Sequence, residues 1–175
     1  TQASRGVAPE QRAEVLYRAA RAYDDAEVLV RGAEFAIEAA RLEPAKPEFV
    51  ALGARAHTAK GAPKDGLALA EAGLTHAAGD PALLLAHAEA AMASGDVTRA
   101  FQDAASAKRA APKGYESLLA EGRFNIQLSK LNDARDALIL AMRAAGTTSV
   151  MPLILLGRLE LSVGNIDAAY DYAQQ

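Results

Sequence analysis

Apolar residues recur along the chain at helical spacing, in alanine- and leucine-rich stretches separated by short breaks. β-Branched residues never alternate with polar ones over a useful length, so strands have almost no support. The pattern predicts helices at about 13–26, 31–43, 47–60, 64–77, 81–94, 97–110, 115–128, 131–145, 150–163 and 166–175. The helix breakers agree with these bounds. Every proline (Pro9, Pro44, Pro47, Pro63, Pro81, Pro112, Pro152) falls in a predicted loop or a first helical turn, where the missing N–H costs nothing. Asp80-Pro81 reads as an N-cap and the first helical residue, and Asp96 as the cap of the helix that follows it.

The helices also repeat. Units of 34 residues begin at Ala13, Pro47, Pro81 and Tyr115. Position 8 of the unit reads Ala20, Ala54, Ala88 and Gly122, and position 20 reads Gly32, Gly66, Ala100 and Ala134. Position 27 reads Ala39, Gly73, Ala107 and Ala141, and Pro44 and Pro112 share position 32. Small residues at 8, 20 and 27 are what two antiparallel helices need where their backbones cross closely. The larger residues at position 4 (Leu16, Val50, Leu84, Leu118) fill the space beside them. A fifth unit begins near Val150, places Gly164-Asn165-Ile166 where unit three has Gly95-Asp96-Val97, and stops at Gln175.

This pattern resembles the tetratricopeptide repeat (TPR) family from about Ala13 to Gln175. The resemblance implies an all-α, right-handed α-solenoid of stacked antiparallel helix pairs. Its units would span about 13–46, 47–80, 81–114, 115–148 and an incomplete 150–175, with 1–12 the remnant of a preceding segment. Some positions depart from the family pattern. Glu27 stands where unit one would carry a turn glycine, and Gly61-Ala62-Pro63-Lys64 reads as an insertion in unit two. Neither end carries the polar terminal repeat that covers a solenoid's last apolar face, so the chain reads as a fragment of a longer array.

The resemblance also implies a concave groove lined by positions 2, 5, 9, 12 and 13 of each first helix. Position 9 supplies Arg21, Arg55, Glu89, Arg123 and Arg158, and position 5 supplies Tyr17, Ala51, Leu85, Leu119 and Ile154. Position 12 supplies Asp24, Thr58, Met92, Ile126 and Leu161, and position 2 supplies Glu14, Glu48, Ala82, Glu116 and Met151. The candidate partner-binding set drawn from these rows is Tyr17, Arg21, Arg55, Leu85, Glu89, Met92, Leu119, Arg123, Ile126 and Arg158. The groove is expected to begin with an arginine ladder and to become apolar from unit three onward. Guanidinium groups suit bidentate capture of carboxylate or phosphate. An apolar strip accepts an amphipathic helix or an extended peptide. The expected ligand is therefore a peptide with apolar side chains flanked by acidic residues. Two plainer readings stand beside it: surface ion pairs such as Glu14–Arg18 or Arg21–Asp25, and cover of the apolar strip by the array's own next helix. The carboxylate clamp of co-chaperone TPR domains is absent, since Tyr17, Arg21, Leu52, Ala82 and Ala86 occupy its places.

Composition narrows the function classes. About a quarter of the residues are alanine, and 19 Lys+Arg against 22 Asp+Glu give a net charge of −3. That balance disfavours nucleic acid, whose binders carry a basic stripe. No apolar run is long enough to span a membrane, and Thr1 to Gly6 lack a signal-peptide core. There is no Cys, which removes thiolate chemistry, zinc ribbons and Fe–S clusters. Nucleophile-elbow, Walker and dinucleotide motifs are also missing, so no catalytic residue, metal or cofactor is expected. His57 and His87, with Glu121 and Asn125, stand at positions 7 and 11, which are normally apolar. They read as a buried polar seam of hydrogen-bonded core groups, with a histidine that makes the array's curvature sensitive to pH between about 5 and 7 as the lesser alternative. The expectation is a non-catalytic scaffold that takes a protein or peptide partner. Its composition points to bacteria, in the cytoplasm or the periplasm, and similar arrays serve envelope, secretion and exopolysaccharide assembly. An accessory segment of a larger transferase is the alternative, and stacking of the array ends into a homo-oligomer is a third.

Overall fold

A computed structural model of the chain describes residues 8–25, 28–146 and 149–175. Thr1 to Gly6, Glu27 and the close of unit four at 148 lie outside the described residues, as does the side chain of Asp25. The described residues form ten α-helices and no strand: α1 Pro9–Asp25, α2 Leu29–Leu42, α3 Pro47–Ala59, α4 Pro63–His76, α5 Pro81–Ala93, α6 Val97–Ala110, α7 Tyr115–Gln127, α8 Leu131–Ala145, α9 Met151–Ser162 and α10 Ile166–Ala173. Sequential helices pack as antiparallel pairs, and the odd-numbered helices also pack on one another, which makes an α-solenoid. Among the described residues no helix is long and apolar enough to cross a membrane.

The close crossings are where the small residues fall. Ala20, Ala54, Ala88, Ala100, Ala134, Ala39, Ala107 and Ala141 have no exposed surface at all. A Cβ added at Gly122 would stand 2.6 Å from Leu138, and one at Gly32 would stand 2.6 Å from Tyr23. Helix starts follow the sequence signals. Pro47, Pro63 and Pro81 each open a helix, and Asp80 and Asp96 accept the Leu83 and Arg99 amides at 3.0 and 3.1 Å. Helix α1 begins at Pro9 and not at Ala13, because proline's fixed φ suits a first position and nothing in Glu10–Arg12 breaks the helix.

The inter-helix turn corrects one expectation. Gly61, Gly95 and Gly164 all take positive φ at unit position 15, so Gly61 is in register and 61–64 is not an insertion. Ser129 holds the same position in unit four with φ 58°, a left-handed backbone that disfavours a side chain.

Candidate functional site

The odd-numbered helices present one face each to the concave side, and four of them together line a cleft of about 160 Å³. Seven residues of the candidate set meet there: Tyr17 and Arg21 from α1, Arg55 from α3, Leu85 and Glu89 from α5, Leu119 and Arg123 from α7. Met92 lines an adjoining hollow of about 380 Å³ with Glu89 and Arg123. Arg158 lines another, of about 410 Å³, with Asp24 and Arg55. Ile126 lies elsewhere, packed half-buried against the core that joins α7 to α9.

An internal ion-pair chain runs across the floor of this face. Arg55 Nη1 donates to Asp24 Oδ2 at 2.7 Å, and its Nε donates to Glu89 Oε2 at 2.9 Å. Arg123 Nη1 approaches the other Glu89 oxygen at 3.6 Å. The Arg55 side chain is 15% exposed and that of Asp24 10%, so this cation is sealed between its carboxylates. Burial works against its charge, but Glu89 and Asp24 outweigh it and hold the guanidinium pKa above the ordinary arginine range. The ladder expected to meet a ligand is thus partly neutralised from within: Asp24, Arg55, Glu89 and Arg123 alternate in sign. Nearer the surface, Arg21 reaches Glu116 of α7 at 3.5 Å.

Tyr17 stacks on Phe49, with ring centroids 4.3 Å apart and planes 11° apart. Burial pushes its phenol pKa up against the pull of Arg21, while Glu48, Glu116 and Glu14 add to the rise. Tyr17 is therefore a rigid, neutral aromatic at one end of the cleft.

No family model matches this sequence, and no curated protein sequence matches it. Solved structures do. TTC0263, a thermophilic TPR protein of Thermus thermophilus, superposes with a TM-score of 0.70 at 18% identity, over 91% of this chain and 87% of that one. PilW, described as a widely conserved type IV pilus biogenesis factor, gives 0.58 at 18% identity over 95% and 77%. MamA of Desulfovibrio magneticus RS-1 gives 0.55 at 13% identity over 95% and 94%. The chain has the TPR fold.

On this TPR fold the expected polar seam does not run from unit to unit. His87 is buried, but its Nδ1 bonds Asp103 of α6 at 2.7 Å, and Glu121 bonds Lys108 of α6 at 2.7 Å. His87 and Glu121, both at position 7, thus find their partners on the second helix α6. Among the described residues no hydrogen bond joins His57, His87, Glu121 and Asn125 to one another, and no three metal-ligating side chains converge. Sequence reasoning placed Asp24, Glu48 and Glu116 on groove rows but left them out of the candidate set. The signal was present, because they stand at groove positions 12 and 2 with charges opposite to the arginine row. At the C-terminal end of the TPR array, Ile154, Leu161 and Tyr172 line an apolar hollow of about 430 Å³ on α9 and α10, continuous with Arg158.

Proposed function

We propose that this chain is a non-catalytic interaction scaffold that binds a protein partner along its concave face, as a helix or extended peptide, within a bacterial envelope or secretion assembly. The observation that carries the reading is the convergence of unit positions 5 and 9 from four successive units into a single cleft. Tyr17, Leu85 and Leu119 line it with apolar side chains, and Arg21 and Arg123 line it with charge. A face of this kind binds by apolar burial, with charges fixing orientation and speeding encounter. Arg55 contributes indirectly, by holding α1, α3 and α5 in the arrangement that shapes the cleft. The likeness to the pilus biogenesis factor PilW supports the envelope setting through fold alone.

Site-specific photocrosslinking in the producing cell tests the reading. A benzophenone side chain at Glu48 or Arg123 reports on the cleft, and one at exposed Leu140 of α8 reports on the opposite helix layer. A partner captured from both cleft positions and not from Leu140 supports groove binding. A partner captured from Leu140 alone overturns it.

A further inference from the structure

A solenoid repeat ordinarily contacts only its neighbours, yet Arg21 and Glu116 join the first unit to the fourth across 95 residues. Two connections therefore lead from α1 to α7. The inner one, Asp24–Arg55–Glu89–Arg123, steps through α3 and α5 and is largely buried. The outer one includes a contact of 3.5 Å between side chains that remain 34% and 45% exposed. These two cannot behave alike. Arg55 cannot leave its carboxylates without stranding buried charge. A half-exposed ion pair at this distance is weaker and more open to salt screening than the inner chain, so the outer contact is the one that gives way first.

The cleft is also small for its proposed ligand. Its volume of about 160 Å³ lies below the roughly 300–1,000 Å³ of ordinary small-molecule sites. An α-helix with side chains is about 10–12 Å across. A helix or extended peptide seated on Tyr17, Leu85 and Leu119 competes for space with Arg21 and Glu116, which line the same cleft. The face has to widen, and the bridge that spans all four units is the one it can release.

We infer that the Arg21–Glu116 pair is a strap that holds the groove of the free array closed, and that a carboxylate of an acidic partner replaces Glu116 on Arg21 as the first and fourth units part. The inference rests on the groove being the partner site and adds how that site is gated. Because the chain has no cysteine, two can be introduced cleanly for nitroxide labels: Ala22→Cys on α1 and Lys113→Cys just before α7, both exposed. Pulsed electron–electron resonance then gives the α1–α7 distance in the free protein. Adding Glu116→Gln should lengthen and broaden that distribution. Adding Glu14→Gln, which removes the Arg18 pair within α1, should leave it unchanged, with circular dichroism showing equal helicity throughout. A distribution unaltered by Glu116→Gln overturns the strap. The experiment contains no partner, so a strap that opens while no groove partner crosslinks overturns the binding reading alone. A fixed distance beside a crosslinked groove partner overturns the strap alone.

Discussion

Replacing Arg55 with methionine removes the one cation between Asp24 and Glu89 and keeps most of the side chain's length. The wild-type cation makes two charge-assisted hydrogen bonds, at 2.7 and 2.9 Å, to carboxylates that are 10% and 23% exposed. Its loss leaves two acceptors of like charge around one apolar side chain. Removing one partner of a buried ion pair costs about 3–5 kcal/mol, because the remaining charge stays buried without compensation. Against a typical folding stability of about 5–15 kcal/mol, that is a large share of the total. Urea unfolding followed by circular dichroism at pH 7.5 measures the loss. The triple variant Asp24→Asn/Arg55→Met/Glu89→Gln should recover part of it at pH 7.5, since no carboxylate is then stranded, although Arg123 loses Glu89. A deficit within about 0.5 kcal/mol of zero, the ordinary range for surface substitutions, would refute the reasoning.

Four further outcomes follow from particular contacts. Gly122→Ala should lower stability by about 1–3 kcal/mol because its Cβ meets the buried Leu138 at 2.6 Å. The same change at Gly157, where the nearest atoms are 3.7 and 3.9 Å away, should be neutral or raise stability by up to about 1 kcal/mol in thermal melts. Ser129→Gly should stabilise by about 1 kcal/mol by relieving a left-handed backbone. Glu160 is buried, and the hydrogen bond from Arg135 at 2.6 Å, aided by Asn165, holds its carboxyl below the ordinary 4.5 despite burial. A lowered folded pKa means that its stabilisation is complete above about pH 5 and is lost as pH falls through 4 and below. Melting temperatures of Glu160→Gln should therefore fall less steeply with acid than those of the wild type.

The helical architecture was legible because alanine and glycine at positions 8, 20 and 27 leave no other arrangement for the larger residues between them. The groove rows were legible for the same reason: seven of the ten candidate residues line one cleft. What the sequence did not convey was where each charge goes. The pairing of Asp24 with Arg55, or of Glu116 with Arg21, depends on how far successive units rotate, and no local spacing sets that rotation. Glu89 within the arginine row was the visible hint, being one repeat away from Arg55 and Arg123. His87 looked like part of a seam because its neighbours in the repeat are polar too. Its partner Asp103 stands on the next helix, in a row the repeat alignment does not single out. Ile126 occupies a groove position by register, yet it turns to the core because α9 leaves apolar space beside α7.

The measurement that tests the central claim most directly is hydrogen exchange of the array, alone and with its crosslink-identified partner. The account predicts new protection in α1, α3, α5 and α7, with α2, α4, α6 and α8 unchanged. Protection confined to the even-numbered helices would contradict it and move the binding surface to the other side of the solenoid.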